Sequence, residues 1–150
     1  MYLHEPSGYR CPFCNIVAGG EEPRTVIWRD EATIAFPALH QQPNNMGSII
    51  LCSVQHFENI YVLPEALGAH MFGVTQKLAV AIKMALHCQG VSTRQHNEPA
   101  GGQDVWHYHV HVVPRFNNDH HYTEVGSVMS VQQRVQFAER IRAALAESAA

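Results

Sequence analysis

The chain has 150 residues, of which 46% are apolar and 15% charged, and its formal net charge is −3. This balance is typical of one globular domain with its own core, and the lack of a basic run excludes an electrostatic footprint for duplex nucleic acid. No apolar stretch reaches the length of a membrane span, and the first residues lack the apolar core of a signal peptide. We therefore expect a cytoplasmic protein without a membrane partner.

The first part of the chain predicts an arm, a hairpin and a buried strand. Residues 1–10 contain Pro, Ser and Gly and predict a loose N-terminal arm. Two runs rich in β-forming residues, 25–28 and 33–36, are separated by charged residues and predict a hairpin. Residues 40–47 hold Pro, Asn and Gly and predict a loop, after which 48–52 predict a buried strand.

Two helices are predicted from apolar periodicity. Over 64–89 the apolar residues recur every three or four positions, and Gly90 follows where a helix commonly ends. Ser130 and Gln133 have the spacing of a capping box, which predicts a C-terminal helix over 130–148.

Two further strands are predicted at 91–95 and 105–114, with a Gly- and Pro-rich loop between them. Five strands joined in hairpin fashion, together with two helices, indicate the α+β class with a mainly antiparallel sheet. No linker or repeat divides the chain, so we expect a single domain over 1–150.

Eleven residues are histidine, and three of them stand at alternate positions: His107, His109 and His111. In a strand they share one face, while Tyr108 and Val112 share the opposite, core-facing side. His107 and His111 would then lie roughly 13 Å apart, and one metal ion binds nitrogen at about 2.0–2.1 Å. A regular strand therefore predicts separate roles for the three imidazoles.

An imidazole is a good nucleophile at neutral pH, since much of it is unprotonated there. Attack on phosphorus would form a phosphohistidine-type intermediate and would need hydrogen-bond donors for the phosphate oxygens. Glycine-rich loops and amide side chains supply such donors. The candidates that stand just before the histidines are Asn97, Gly101, Gly102 and Gln103.

The run from His107 to Val113 resembles the His-φ-His-φ-His-φ-φ signature of the histidine-triad (HIT) superfamily, where φ is an apolar residue. Gln103 before it and Pro114-Arg115 after it also match, and the similarity extends from Cys11 to about Arg115. The resemblance implies a HIT-like α+β fold, a homodimer, and hydrolysis or transfer of nucleotides at the α-phosphate of a nucleoside phosphate.

The resemblance also implies roles for individual residues. His109, the middle histidine, is the expected nucleophile, and His111 is expected to hydrogen-bond the phosphate. Asn97 and Gln103, with Gly102 in the same loop, match phosphate-contacting positions. Asp104 stands where some members carry Ser or Thr near the leaving group, and a carboxylate there is suited to general acid catalysis.

Cys11 and Cys14 form a Cys-x-x-Cys pair that has a metal and a redox interpretation. The redox one requires a thioredoxin-like βαβ context, which the pattern lacks. The resemblance implies two further ligands, His56 and His107, which with two thiolates make a closed, structural zinc site. The alternatives are a reduced cysteine pair without metal, and an open catalytic zinc that uses His107 and His109.

Four other residues are expected to have no chemical role. Cys52 and Cys88 are predicted to be small apolar core residues. His120 and His121 are predicted to be exposed.

The chain departs from the family at two positions. Many members carry Asp two residues after the Phe that matches Phe36 and bind ribose through it, but here that residue is Ala38. A further histidine usually follows the Gly that matches Gly47, but here it is Ser48. The polar loop 39–47 is predicted to be solvated. These departures also support a second hypothesis, a nucleotide-binding module with weak catalysis.

Overall fold

A five-stranded antiparallel sheet forms the centre of the protein, whose structure, a computed structural model, describes residues 2–148. The predicted α+β class is confirmed; residues 1, 149 and 150 of the predicted domain lie outside the described residues. In sheet order the strands are β1 (Trp28–Arg29), β2 (Thr33–Pro37), β4 (Ile49–Ser53), β6 (His109–Arg115) and β5 (Gly90–Arg94). A separate ribbon pairs β3 (His40–Gln41) with β7 (Ser127–Val128).

Within residues 2–148, three α-helices accompany the sheet: α1 (Pro12–Val17), α2 (Glu65–Leu86) and α3 (Val131–Ser148). The capping box that opens α3 is confirmed, because Gln133 N donates to Ser130 Oγ at 3.2 Å and Ser130 N donates to Gln133 Oε1 at 3.0 Å. No helix within residues 2–148 is long and apolar enough to cross a membrane.

Helix α2 ends three residues earlier than predicted. His87 adopts a left-handed conformation, with φ at 53°, and its N–H closes the helix on Lys83 O at 3.0 Å. The Lys83 ammonium then donates to the carbonyls of Cys88 and Gln89. These contacts terminate the helix without the glycine at 90, which instead begins β5.

The two faces of the sheet have different partners. On one face, Leu51 and Val112 pack in the main core with the apolar residues of α2 and α3, including Leu78, Ile82 and Ile141. Tyr108 belongs to this core, as predicted, and Cys88 and Cys52 are buried apolar residues, as predicted. The opposite face carries a smaller apolar cluster, which consists of Phe13, Ile34, Phe36, Ala38, Ile50 and Cys52. A cavity lies beside this cluster.

The loop 39–47 is less solvated than predicted. Gln41 is fully buried and bonds four backbone groups around the turn, among them Gly47 N and Ala38 O. Asn45 is also fully buried and donates to Pro114 O at 2.8 Å. The prediction of a solvated loop is therefore wrong for these two amides, because they satisfy backbone groups that would otherwise lack partners.

His121 is also placed differently from the prediction. It is 3% exposed, and its Nδ1 lies 3.2 Å from Asn45 Oδ1, whereas His120 is exposed as predicted. Asn45 lies 76 residues away along the chain, so the sequence around His121 does not predict its burial.

Candidate functional site

The three histidines of the triad occupy two structural environments. His109 and His111 lie in β6 with ring centroids 5.0 Å apart, on the face that carries the smaller cluster. His107 precedes the strand, because its N–H bonds Val105 O and Tyr108 N donates to Phe57 O at 2.6 Å. The prediction of one regular strand from 105 is thus wrong at its start, but the predicted separation of roles is compatible with this break.

His109 is held in one tautomer. Its Nδ1 lies 2.7 Å from the backbone oxygen of His107, and since a carbonyl only accepts, Nδ1 carries the hydrogen. The other nitrogen, Nε2, then keeps its lone pair. The Phe13 ring packs against the imidazole at an interplanar angle of 82°, with centroids 5.0 Å apart, and restricts its rotation.

Burial keeps both strand histidines neutral at pH 7. It lowers the pKa of His109, which is 3% exposed, although the His107 carbonyl and Asp104 act in the opposite direction. Burial, together with His109 and Arg94, lowers the pKa of His111 to about 3. Two neutral imidazoles side by side offer one nucleophilic nitrogen and one hydrogen-bond donor.

Cys11, Cys14, His56 and His107 come together, and their ligand atoms all lie within 4.8 Å of one another. Cys11 Sγ is 3.3 Å from His107 Nδ1, and Cys14 Sγ is 3.2 Å from His56 Nδ1 and 3.6 Å from His107 Nδ1. Around a tetrahedral zinc with ordinary bond lengths, sulfur and nitrogen ligands are about 3.6 Å apart. The spacing of the four ligands therefore fits a zinc ion.

The groups around these ligands fit a metal as well. His107 Nε2 donates to Ser53 O at 2.9 Å, and His56 Nε2 lies 2.7 Å from Glu5 Oε2, so both Nδ1 atoms are left as acceptors toward the thiols. Burial, with the neighbouring Cys11, raises the pKa of the Cys14 thiol to about 11. A cation would stabilise the thiolates that this environment otherwise disfavours.

A cavity of about 410 Å³ lies beside the strand histidines. Its floor is largely apolar and includes Phe13 and Ile16 of α1 and Phe36 of β2. Three of the predicted site residues line it, namely Asp104, His109 and His111. An apolar slot that ends in convergent polar groups is the usual form of a small-molecule site.

The other predicted phosphate-binding residues do not line this cavity. Gln103 is 5% exposed; its amide donates to Glu58 O and Val105 O and accepts from Glu98 N. Asn97 Oδ1 accepts from Ile60 N at 2.8 Å. Gly102, with φ at +85°, lets the chain turn after the short 3₁₀ segment Pro99–Gly101.

The structure adds polar residues that sequence reasoning missed. His96, one position before Asn97, has its ring 6.2 Å from that of His111, and Arg94 lies directly opposite His111 in the sheet register. Glu21 and Arg134 line the cavity on the side of α3. One signal for Arg134 was available, since it stands on the apolar face of α3, four residues before Ala138.

Several known proteins resemble this chain in sequence. The model of the HIT domain family matches residues 19–118. The protein named hit of Bacillus subtilis (strain 168) is 33% identical over 106 residues, which are 71% of each chain. An adenylylsulfatase of Arabidopsis thaliana is 26% identical over 109 residues, which are 73% of this chain and 54% of that protein.

A solved structure shows the same fold. The zinc-bound histidine triad family protein of Mycobacterium smegmatis superposes with a TM-score of 0.78 at 29% identity, covering 93% of this chain and 95% of that one. The zinc is a property of that protein, and the four clustered residues above are those with which this chain could hold one.

Proposed function

Because this chain belongs to the histidine-triad (HIT) family, we propose that it is a nucleotide hydrolase or nucleotidyl transferase that works through a nucleotidyl-His109 intermediate. One observation carries the proposal: His109 gives its Nδ1 hydrogen to a backbone carbonyl, which leaves Nε2 as a nucleophile beside the cavity. The Arabidopsis relative, named an adenylylsulfatase, supports a substrate with a nucleoside 5′-phosphate.

In the first step, the Nε2 lone pair of His109 attacks the α-phosphorus, and the bond to the leaving group breaks with its electron pair going to that group. His111 donates an N–H to the phosphate oxygens, which gather charge as the bond breaks. The leaving group takes its proton from solvent. The carboxylate of Asp104, an exposed residue that lines the cavity, would favour leaving groups that carry a hydrogen-bond donor.

In the second step, water attacks the same phosphorus and loses a proton to solvent, and the P–Nε2 bond breaks with its electron pair returning to Nε2. The products are a nucleoside monophosphate and free His109. An alcohol or second phosphate in place of water makes the same chemistry a transfer. The hydrogen bond to the His107 carbonyl stabilises the imidazole while its Nε2 is bonded to phosphorus.

We propose zinc as the metal of the cysteine–histidine group, held by Cys11, Cys14, His56 and His107. Four protein ligands complete a tetrahedral site, so the ion supplies structural cross-linking rather than an open coordination position. It would join the start of α1 to the segments before β6 and after β4.

We also propose that the chain forms a homodimer. Helix α2 exposes a stripe of large apolar residues, Phe72, Val80 and Met84, spaced by eight and four positions on one helical face. Light scattering of the intact chain is expected to give the mass of two chains.

The proposed activity is tested by mixing the intact chain with nucleoside phosphoramidates and dinucleoside polyphosphates. We expect an adduct of one nucleoside monophosphate on His109 by intact mass and peptide mapping. His109→Ala should remove the adduct and lower turnover by on the order of 10³-fold or more. His70→Ala, an exposed histidine paired with Asp30 outside the cavity, is the matched control.

Two outcomes would contradict the proposal. Turnover that survives in His109→Ala would exclude the covalent route. Nucleotide binding that stabilises the wild-type chain without turnover of any substrate would indicate the second hypothesis, a sensing or sequestering module.

A further inference from the structure

An ion pair between the half-buried Glu21 and the buried Arg134 forms part of the wall of the cavity that Ala38 also lines. We propose that Glu21, held in place by Arg134, accepts hydrogen bonds from the ribose hydroxyls of the nucleotide and so takes over the role of an Asp at position 38. This inference rests on the proposed function, since it assigns the sugar specificity of the same site.

The geometry of the pair leaves part of the carboxylate available. Both terminal nitrogens of Arg134 donate to the same oxygen, Glu21 Oε2, each at 3.1 Å. Within residues 2–148, no group bonds the second oxygen, Oε1. The Arg134 side chain is 8% exposed and that of Glu21 is 35% exposed. The arginine is therefore held in place by its surroundings, and the carboxylate is accessible.

Arg134 contributes little to the stability of the fold. Its Nε is buried and finds no partner in the described part of the chain. A buried ion pair is weak support for stability, and an unsatisfied donor lowers it further. The position lies on the apolar face of α3, where an aliphatic residue would pack at lower cost. The arrangement is explained if the arginine serves to orient Glu21.

Glu21 and Arg134 line the same cavity as Ala38 and His111. Strands β2, β4 and β6 place Phe36, Ile50 and His111 side by side. Ala38 follows two residues after Phe36. With ordinary strand spacings, the Cα atoms of Ala38 and His111 are about 12 Å apart. The apolar floor between them is therefore where the nucleoside would lie, with its sugar toward the α3 side.

The charge of the pair selects a neutral ligand group. Arg134 and Glu21 cancel each other, so this wall does not attract a further phosphate. A free carboxylate oxygen needs a donor, and the cis-hydroxyls of ribose are donors that a nucleotide carries close to its phosphate. Ala38, which is 7% exposed, offers no polar atom of its own side chain to compete for them.

The experiment compares ribose with deoxyribose substrates. We expect the wild-type chain to prefer adenosine and guanosine 5′-phosphoramidates over their 2′-deoxy and 3′-deoxy forms by about tenfold or more in kcat/KM, as for a hydrogen bond to a charged acceptor. Glu21→Gln should reduce this preference at least threefold. Adding Ala38→Asp to Glu21→Gln should restore it. The matched control is Glu22→Gln, which removes the neighbouring carboxylate that pairs with Arg24.

A second measurement does not depend on turnover or on variants. Calorimetry with AMP and 2′-deoxy-AMP on the wild-type chain should show the same preference in affinity. Equal affinities, or an equal loss of preference in Glu22→Gln, would overturn the inference. If His109→Ala abolishes turnover while ribose and deoxyribose substrates react equally, the assignment of Glu21 fails and the proposed function stands; if His109→Ala stays active, the proposed function fails instead.

Discussion

The cysteine–histidine group gives the most direct prediction, because it joins three segments that are far apart in the chain. Cys11 and Cys14 flank the start of α1, His56 follows β4, and His107 precedes β6. We expect the purified chain to hold one zinc ion per molecule, and Cys14→Ser to lower that content severalfold. Elemental analysis of the dialysed protein measures the content.

The expected change in stability follows from mass action. Free zinc at 100 times its dissociation constant stabilises the folded state by about 2.7 kcal/mol. For a chain of this length, each kcal/mol shifts Tm by about 2–4 °C, so removal of zinc with a chelator should lower Tm by about 5–11 °C. The loss should be reversed by zinc, since the ligands remain in place.

Two controls separate the metal from unspecific effects. Cys14→Ser should melt near the chelated wild-type protein and respond little to chelator. His70→Asn, which alters an exposed histidine outside the group, should keep the full response. The reasoning is refuted if the wild-type chain contains no stoichiometric metal and if its Tm does not rise when zinc is added.

The remaining predictions concern a half-buried histidine and a buried amide. Burial, His109 and Arg94 hold the folded pKa of His111 at about 3, below the unfolded value of about 6.5, so its contribution to stability is lost as the pH falls from 6.5 toward 3. His111→Asn should therefore reduce the loss of unfolding free energy between pH 7 and pH 5 by about 2 kcal/mol in urea titrations, and equal losses in both proteins would contradict this. Gln103→Ala removes three hydrogen bonds to backbone groups and should lower the free energy of unfolding by about 3 kcal/mol, whereas a cost below about 1 kcal/mol would show that those groups find other partners.

The sequence predicts the periodic elements well and their ends less well. The 22-residue helix α2 and the strands β4 and β5 lie within about three residues of their predicted bounds, because a long apolar pattern is a local property. The start of β6 is four residues late. There Tyr108 N donates to Phe57 O instead of to a neighbouring strand of the sheet. Because Phe57 is 51 residues away along the chain, the local sequence pattern does not predict this bond.

The same distinction applies to the candidate site. The alternation of His109 and His111 in one strand is visible in the sequence, and both residues reach the cavity. The sequence shows that Arg134 stands on the apolar face of α3, but it does not show the ion pair, because the partner Glu21 stands 113 residues earlier. His96 rather than Asn97 lies beside the His111 ring, and it stands two positions after Arg94, the register partner of His111.

The break before β6 explains how one short segment serves two sites. If the strand began at Val105, the His107 ring would face the same cavity as His109, and its carbonyl would pair with a neighbouring strand. Because the chain bends there, the His107 ring instead faces the two cysteines, while its carbonyl accepts the Nδ1 hydrogen of His109. The position of the cysteine–histidine group thus fixes the backbone atom that sets the tautomer of the proposed nucleophile. Any effect of metal removal on activity would then pass through that carbonyl, and would appear as a change in kcat that parallels the loss of order around His107.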